Sequence, residues 1–435
     1  MARDRIISAI DIGSSKIVTL IASMTEEGLA RVIGVSTSPS HGLRKSQVVN
    51  IEEATDAISA SLEAAERMAG TSVTQVFVSV GGSHIASMNS HGVVAVSEPD
   101  KEISPNDIKR VIDAAKAVQL PTSRDILHVL PRGYSVDGQE GIVDPVGMSG
   151  VRLEVETHLV TGGSTAIRNL HKCVEELGVD VVDVAFGGLA SAVATLSDTE
   201  KELGVVLVDI GGGTTDVAIF VDGALSYSSV IPIGAINITK DLAAGLRVSL
   251  ESAEKIKLRL GQVVKSPMMG EEESRVKSLK NEKEDDIDIG DLGLPEGMRM
   301  ISKKTLIEGI IKPRLNEIFT MVALEIKRSG FGGMMPSGVV LTGGGALTIG
   351  AVESARRNLA MPVHIGIPQK VTGLVDEIMT PTYAAAVGLI LWGDKEGGQE
   401  GTTGSIFSGI GKLGGNFHMK GLAGKVVNLV KSFLP

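Results

Sequence analysis

Two segments of the sequence share one pattern, a β-rich run that ends in Asp-Ile-Gly and resumes after a few small residues. Residues 6–21 read IISAIDIGSSKIVTLI, and residues 205–220 read VVLVDIGGGTTDVAIF. Each pattern predicts a β-hairpin, because glycine accepts the backbone conformations that tight turns require. A third glycine turn, VVLTGGGALTIG at 339–350, predicts a strand, a loop and a helix that begins near Gly350.

The residues in these turns favour phosphate binding. Glycine lacks a Cβ, so backbone N–H groups can converge on anionic oxygens, and Ser and Thr add hydroxyl donors without bulk. Asp11 and Asp209 stand just before the glycines, where a carboxylate can hold a hydrated Mg²⁺ that bridges phosphates. Lys16 supplies a point charge suited to a phosphate oxygen. One hairpin alone would fit a plain tight turn equally well, but the ordered series of three turns favours a nucleotide site.

The ordered series resembles the actin-like ATPase superfamily, which includes sugar kinases, MreB and the seventy-kilodalton heat-shock chaperones. The resemblance implies ATP and Mg²⁺ as ligands, with Asp11 and Asp209 at the metal. It implies an α/β fold class: an actin-like (ribonuclease H-like) two-domain ATPase fold. The nucleotide-binding residues that it implies are Asp11, Gly13, Ser14, Ser15 and Lys16 in a first phosphate loop, Asp209, Gly211, Gly212, Gly213, Thr214 and Thr215 in a second, and Gly343, Gly344 and Gly345 in an adenosine loop.

Two helical segments extend the resemblance. Residues 252–261, SAEKIKLRLG, match the helix that reaches the ribose and adenine in this superfamily, and they nominate Glu254 and Lys257. A helix places residues three positions apart on one face, so both can reach one ligand; alternatively they form a solvated ion pair. Residues 381–393, PTYAAAVGLILWG, resemble the second connecting helix, and their small side chains favour close packing of two helices.

An unusual segment, residues 84–161, lies between the two hairpins. Its pattern predicts a β–α–β–β unit whose helix begins at Ser104 and Pro105, a favourable N-cap and N1 pair. This unit, the phrase FGGLASAVA at 186–194 and the end of the chain together resemble the FtsA family of bacterial cell-division proteins over essentially the whole length. The resemblance implies an inserted small α+β subdomain that contacts neighbouring subunits or other division proteins.

These features predict the domain organisation. Residues 1–83 and 162–200 are expected to form the first actin-like domain around the inserted subdomain. The remaining predicted segments are a second domain at 201–392 with a lobe near 240–310, a flexible linker at 393–416 and an amphipathic helix at 417–435.

Gly187 bears on catalysis. Active hydrolases of the superfamily carry an acid or amide on the first connecting helix that orients the attacking water. In this chain Gly187, in FGGLAS, stands at the matching place, and glycine has no side chain to position a water. Water positioning supplies a large part of the phosphoryl-transfer rate. We therefore expect firm ATP binding and slow hydrolysis, with Asp209 remaining as a catalytic general base.

A charged segment, residues 266–299, has more acids than bases and few apolar residues. That composition is typical of a solvated surface excursion. The resemblance places here the lobe that binds the C-terminal peptide of the tubulin-like protein FtsZ. Arg299, Lys303 and Lys304 would then receive acidic groups of the peptide; alternatively they are exposed cations at the start of a helix.

The end of the chain is amphipathic. The net charge of the protein is −10, yet no acid follows Gly401, and a glycine-rich spacer precedes residues 417–435. On a helical wheel the apolar residues of this segment separate completely from its lysines. A core helix would show the same stripe, but the spacer, the terminal position and the all-lysine charge favour an interfacial helix on anionic lipid. The residues expected at the membrane are Leu422, Lys425, Val426, Leu429, Val430 and Phe433.

Composition narrows the class of protein. The acidic balance argues against a nucleic-acid binder. The single cysteine, Cys173, excludes an intramolecular disulfide and reads as a buried thiol in a reducing cytoplasm. The histidines show no metal-ligand spacing, and the chain has no apolar run long enough for a signal peptide or a transmembrane helix.

The hypothesis from sequence is an ATP-binding, actin-like membrane tether that self-associates into filaments and links FtsZ to the cytoplasmic face of the cell membrane at the division site. One alternative is another actin-like scaffold similar to the pilus-assembly protein PilM, for which this terminal helix would not be expected. A second is a sugar or acetate kinase of the same superfamily, but no motif supplies a carboxylate facing an acceptor hydroxyl. A chaperone is disfavoured because no substrate-binding domain follows the nucleotide core.

Overall fold

A computed structural model describes residues 5–25, 29–97, 102–263 and 285–397. Most of the charged segment at 266–299, the predicted linker from residue 398 onward and the predicted terminal helix lie outside the described residues. Residues 393–397, predicted as the start of the flexible linker, instead belong to the last described helix.

Strands and helices alternate along the described chain. The strands are β1 (Arg5–Ile12), β2 (Lys16–Met24), β3 (Ala30–Pro39), β4 (Leu43–Arg44), β5 (Gln47–Val48), β6 (Gln75–Val80), β7 (Ala86–Ala95), β8 (Arg124–Val136), β9 (Gln139–Ile142), β10 (Arg152–Gly163), β11 (Asp180–Phe186), β12 (Val205–Ile210), β13 (Thr215–Val221), β14 (Ala224–Ile231), β15 (Asp286–Asp288), β16 (Met300–Ser302), β17 (Val339–Thr342), β18 (Val363–Ile365) and β19 (Val371–Gly373). The helices are α1 (Ile51–Ala69), α2 (Pro105–Lys116), α3 (Ser164–Glu175), α4 (Gly187–Thr195), α5 (Asp198–Leu203), α6 (Ala235–Leu246), α7 (Leu250–Val263), α8 (Lys303–Leu306), α9 (Lys312–Ser329), α10 (Ala351–Leu359), α11 (Val375–Ile378) and α12 (Ala384–Gly397). A π-helical turn, Ile307–Ile311, joins α8 to α9, and 3₁₀ turns occupy Gly290–Leu292, Gly344–Leu347 and Pro381–Tyr383.

The core contains two sheets that repeat one topology. The first has the order β11-β6-β1-β2-β3-β19, and the second has the order β14-β13-β12-β17-β18. In each sheet an antiparallel meander of three strands (β1–β3 or β12–β14) is continued by a parallel strand, β6 or β17. The two predicted hairpins are therefore confirmed, and they open the two halves of an actin-like fold.

Strand periodicity explains why the first sheet is covered on both faces. Ile10 and Ile12 of β1 pack in one apolar cluster with α1 and α3, whereas Ile7 and Ala9 pack in another with α4 and α12. Successive strand residues point to opposite faces, so a run that is apolar throughout must be buried on both sides. The predicted helix at 51–69 forms as α1 and ends at Gly70, whose φ of 68° is left-handed and favours glycine.

The C-terminal part of the described chain returns to the first half. Strand β19 pairs in parallel with β3, although residues 371–373 fall in the segment predicted for the second domain. Helix α12 packs in the same apolar cluster as α4. A Cβ placed on Gly388 would lie 1.8 Å from the Ala190 carbonyl oxygen, so this crossing depends on glycine. The predicted close packing of small residues is therefore confirmed.

The inserted subdomain is a four-stranded sheet, β7-β10-β8-β9, with α2 on one face. Its helix begins as predicted: the Ser104 side chain accepts from the Asp107 backbone N–H, and Asp107 accepts from the Ser104 backbone in return. The short strand β9 adds to the predicted β–α–β–β pattern, because Asp137 and Gly138 both have positive φ and form a tight hairpin turn.

Burial and helix length complete the description. Cys173 is fully buried, as its amphipathic helix predicted. Among the described helices none is both long enough and apolar enough to span a bilayer.

Candidate functional site

One cavity lies where the two hairpin turns and the third glycine loop converge. Including its open mouth it encloses about 710 Å³, which is within the usual range for small-ligand sites. The predicted residues that line it are Asp11, Gly13, Ser14, Ser15, Lys16, Asp209, Gly211, Gly212, Thr214, Gly343 and Gly344. Its walls therefore come from both halves of the fold.

The two turns are built alike and touch at their tips. Gly13 N donates to Lys16 O at 3.1 Å, and Gly211 N donates to Thr214 O at 2.9 Å. A Cβ on Gly212 would lie only 2.6 Å from Ser15 Oγ. Glycine is thus required here by close approach of the opposite turn, a reason that a single hairpin could not reveal.

Asp11 is held from its buried side by a serine. Ser79 Oγ donates to Asp11 Oδ1 at 2.7 Å and accepts from the Ile12 backbone N–H at 2.9 Å. Burial raises the pKa of the Asp11 carboxyl, while the Ser79 hydrogen bond and the charge of Lys16 oppose that shift. This serine therefore fixes the Asp11 carboxylate and favours its charged form.

Lys16 reaches across the cavity toward the C-terminal part of the chain. Its Nζ donates to Thr382 O at 2.9 Å and lies 4.7 Å from the centre of the Tyr383 ring. Burial lowers the pKa of Lys16, against the charges of Asp11 and Asp209. The ammonium group thus lies beside the cavity with one carbonyl partner and an aromatic face.

Asp209 has a similar support. Ser191 Oγ of α4 donates to Asp209 Oδ2, and Ser191 is fully buried. Burial raises the pKa of Asp209 to about 6, with the Ser191 hydrogen bond lowering it and Asp11 raising it. Gly343, with a φ of 79°, allows the third loop to pass directly over this carboxylate and the Ile210 carbonyl.

Asp216 is a residue of the cavity wall that sequence reasoning missed. It is 8% exposed, and within the described chain its Oδ1 has no hydrogen-bond partner. Burial raises its pKa well above the usual carboxyl value, and the charges of Asp209 and Asp11 add to that shift. The available signal was an acid within the otherwise apolar run of β13, where an unpaired charge is costly.

Gly187, also in the cavity wall, leaves room for Asp216. A Cβ on Gly187 would lie 3.1 Å from Asp216 Oδ2. A side chain at position 187 would therefore press against this buried carboxyl group.

The charges of the cavity fit a phosphate ligand that carries a divalent cation. Three carboxyl groups, from Asp11, Asp209 and Asp216, share the cavity with one ammonium group, and in their charged forms they would repel a bare polyphosphate. Mg²⁺ is usually held by one or two carboxylates together with phosphate oxygens and waters. The serine-held carboxylates of Asp11 and Asp209 fit that role. Among the described residues, no three His, Cys, Asp or Glu side chains are placed so that they could hold a metal ion by themselves.

Some predicted nucleotide residues do not line the cavity. Gly213 packs on Ser14, and Gly345 packs on Ile210. Thr215 Oγ1 donates to the Ile233 carbonyl. Their roles toward a nucleotide stay predictions.

Glu254 and Lys257 lie together on α7, as their spacing predicted, but away from the cavity wall. Lys257 Nζ donates to Glu254 Oε2 at 2.7 Å and to Thr239 Oγ1 at 2.9 Å. Farther along the same helix, a Cβ on Gly261 would lie 3.2 Å from Leu347 O, close to the third glycine loop. Helix α7 thus approaches the loop expected to bind adenosine, and the contact of Glu254 and Lys257 with a base stays a prediction.

The cavity has further polar walls that no motif indicated. Ser46, in the β4–β5 turn, donates its backbone N–H to Ser14 Oγ at 2.6 Å, and its hydroxyl lies 3.3 Å from Thr214 Oγ1. Lys45 and Ser46 both have positive φ, as in a two-residue hairpin turn without glycine. Because this turn contains no glycine, the sequence pattern did not predict it.

The predicted partner-binding cations lie on the second half. Arg299 and Lys304 are exposed, and Lys303 is half-buried. The Asp285 backbone carbonyl accepts from the Lys303 N–H, and Asp285 Oδ1 accepts from the Lys304 N–H, so one carboxylate already lies beside these cations.

The chain matches two family models, one described as the SHS2 domain inserted in FtsA over residues 82–161 and one as cell division protein FtsA over residues 206–388. It is 42% identical over 407 residues to cell division protein FtsA of Pseudomonas aeruginosa, covering 93% of this chain and 94% of the relative. The chain belongs to the FtsA family. It is also 34% identical to FtsA of Escherichia coli over 400 residues, covering 90% and 91% of the two chains. Membership of the FtsA family supports a role in cell division.

Solved structures support the actin-like fold. A PilM–PilN complex of type IV pilus biogenesis gives a TM-score of 0.61 at 14% identity, covering 89% of this chain and 98% of the other. MreB5 of Spiroplasma citri bound to ADP gives a TM-score of 0.51 at 14% identity, covering 91% and 99%. At such low identity these two likenesses concern the fold alone.

Proposed function

We propose that this member of the FtsA family binds Mg-ATP in the cavity between its two halves and tethers FtsZ filaments to the membrane. The observation that carries the nucleotide part is the convergence of both Asp-Gly hairpin turns and the third glycine loop on one cavity. Mg-ATP would bring a cation that neutralises negative charge on the carboxyl groups of the cavity. Asp11 and Asp209, held by Ser79 and Ser191, would orient that cation.

The turns would bind the phosphates. Ser14, Ser15, Thr214 and Lys16 line the cavity, so the backbone N–H groups and hydroxyls of the turns would be its donors. Lys16 would exchange the Thr382 carbonyl for a phosphate oxygen, a stronger charge-assisted partner. Because residues of both halves would contact one ligand, binding would favour a closed arrangement of the halves.

Hydrolysis would be slow. Gly187 supplies no water-positioning side chain, and Asp209 with a pKa of about 6 is the proposed general base. The expected function is therefore a nucleotide-dependent scaffold rather than a rapid ATPase.

The tether has two proposed ends. Arg299, Lys303 and Lys304 would receive the acidic C-terminal peptide of FtsZ, and the terminal segment 417–435 would lie on an anionic leaflet. Each lysine near such a surface contributes about 1 kcal/mol, so one tail would bind reversibly. Filaments of this protein would present many tails and bind far more tightly. The proposed location is the cytoplasmic face of the cell membrane at the division site.

Co-sedimentation with anionic liposomes tests the whole proposal. The full chain and a chain that ends at Gly415 are compared with Mg-ATP and a fluorescent peptide of the FtsZ C-terminus. We expect only the full chain to pellet, and to bring the peptide with it. A soluble full chain would contradict the membrane anchor, and a pellet without peptide would contradict the FtsZ contact.

A further inference from the structure

The inserted subdomain belongs covalently to the first half but also lies against the second. Strands β7, β8 and β10 contact β14, the outer strand of the second sheet. Ser87 Oγ donates to Ser228 O at 2.7 Å, and Arg132 Nε donates to Ser226 Oγ at 3.0 Å. We call this contact the seam; it consists of Ser87, Asn89, Arg132 and His158 on the insertion and Ser226 and Ser228 on β14.

At the centre of the seam, each hydrogen-bond donor meets an acceptor. Asn89 Nδ2 donates to Ser226 O at 3.3 Å, which leaves Asn89 Oδ1 to accept from His158 Nδ1 at 2.7 Å. His158 Nε2 is then an acceptor, and Ser228 Oγ donates to it at 2.9 Å. Burial lowers the pKa of His158 to about 3, with smaller effects of the same sign from Arg132 and His128. The imidazole is therefore neutral at physiological pH.

The chemistry of the seam differs from that of the cores. Its six side chains are polar, whereas a neighbouring apolar cluster joins Leu127 and Val160 of the insertion to Leu225 of β14. Interlocked apolar side chains resist sliding, because close-packed interiors have few alternative arrangements. A contact made of short hydroxyl and amide groups can exchange partners at small cost, provided that each group finds another.

The insertion is joined to the first half through two glycine pairs. The chain enters through Gly81–Gly82 and leaves through Gly162–Gly163. Gly82 has a φ of +105°, which side-chain-bearing residues rarely adopt. The Gly163 backbone N–H donates to His84 Nδ1 at 3.2 Å, so the two crossings are tied to each other. Such a paired crossing can rotate as a unit.

The entry crossing reaches the nucleotide cavity. Val80 and Gly81 line the cavity beside Ser79, the residue that holds Asp11. A Cβ on Gly81 would lie 3.3 Å from the Ser46 Cβ, on the turn that meets both phosphate hairpins. Direct contacts therefore connect the cavity wall to the entry crossing of the insertion.

We propose that the insertion is a hinged module whose seam with β14 shifts when nucleotide occupies the cavity, so that its outer surface reports the nucleotide state. The proposal rests on the proposed nucleotide binding and adds a transmission route to it. The two halves also meet at the hairpin tips and through β19 and α12, and the seam adds a contact that runs through the insertion. A relative movement of the halves must either shear the seam or turn the insertion on its glycine pairs. Coupling of this kind is reciprocal, so weakening the seam must change nucleotide affinity.

Two measurements on the full chain test the coupling. The first is hydrogen exchange of segments 86–95 and 224–231 with and without a non-hydrolysable ATP analogue and Mg²⁺; we expect exchange in both to change on binding. The second is the Kd of a fluorescent ATP analogue for Ser87→Ala and Asn89→Ala. We expect Kd to change by about fivefold or more, the lower end of typical allosteric couplings.

Ser90→Ala is the matched control. It lies on the same strand, but its hydroxyl donates to the Ala115 carbonyl within the insertion, so its Kd should stay at the wild-type value. Saturable nucleotide binding with unchanged exchange in both segments and unchanged Kd in both seam variants would overturn the coupling while leaving nucleotide binding intact. Absence of nucleotide binding by the wild-type chain would overturn the proposed function and this inference together.

Discussion

At the residue scale, burial and hydrogen bonding decide what the cavity can bind. Asp11, Asp209 and Asp216 each pay a desolvation cost that raises their pKa, and the first two are partly compensated by serine donors. Three acids gathered around one lysine are unfavourable in the absence of a cation. Burial favours the protonated forms of these acids, and a ligand that brings a cation would favour their charged forms.

Asp209→Asn should stabilise the ligand-free protein above neutral pH. The folded-state pKa of about 6 exceeds the ordinary value of 3.8, so folding favours the protonated form, and stability falls as pH rises through this range. Asparagine removes that cost, which is on the order of 2 kcal/mol. Thermal unfolding at pH 8 and pH 4 measures it, with a gain expected at pH 8 that disappears at pH 4.

The same substitution at an exposed position, Asp56→Asn, is the control for that experiment. The same Asp209→Asn protein should lose Mg²⁺-dependent nucleotide binding. An equal gain at both pH values would mean that the ionisation of Asp209 is not the source of the effect.

Steady-state ATP turnover should stay well below about 1 s⁻¹, the low end of kinase-like rates. The reason is Gly187, which has no group to orient a water. The measurement is phosphate release under saturating Mg-ATP. It is made at one protein concentration at which filaments form and at one at which they do not. Turnover near 1 s⁻¹ in either condition would show that another residue orients the water.

At the scale of elements, one helix crossing depends on a single glycine. Helices α4 and α12 approach so closely that a Cβ on Gly388 would overlap the Ala190 backbone carbonyl. A backbone atom cannot move aside as a flexible side chain can, so the helices would have to separate.

Gly388→Ala should therefore destabilise the protein by about 3 kcal/mol or more, since overpacking against backbone exceeds the usual cost of an added methyl group. Gly309→Ala is a matched control, because Gly309 lies in the π-helical turn and, apart from the backbone of its own helix and its chain neighbours, no heavy atom lies within 4 Å of its ideal Cβ. There we expect no loss, or a gain of a few tenths of a kcal/mol to about 1 kcal/mol from helix propensity. Denaturant unfolding of both variants decides, and similar stability of the two would contradict the packing argument.

At the scale of the whole molecule, two halves with one strand topology enclose the cavity, and the insertion reaches across them at the seam. This arrangement gives a ligand in the cavity influence over both halves. The proposed membrane anchor would act at the same scale, since it would confine the whole chain to a surface.

Phe433→Glu should reduce liposome binding by about tenfold or more, because it places a charge on the predicted apolar face and repels anionic lipid. Asn428→Glu adds the same charge to the predicted polar face and should weaken binding much less. Sedimentation with anionic vesicles compares the two. Equal loss in both variants would indicate that charge alone, and not an amphipathic helix, governs attachment.

The sequence by itself determined the features that depend on local chemistry. The Asp-Gly turns, the Ser104 cap and the helix at 51–69 are all present, because turn geometry, capping and hydrophobic period are set by residues close together in the chain. The ordered turns also indicated most of the cavity wall.

Only the tertiary structure decided which distant residues complete the site. Ser79 and Ser191 support Asp11 and Asp209 across 68 and 18 positions of sequence, and Thr382 receives Lys16 across 366. No periodic pattern encodes such contacts, since they arise where separate strands and helices come together. The seam between the insertion and β14 was unforeseen for the same reason: serine, asparagine and histidine carry no signal until a second sheet supplies their partners.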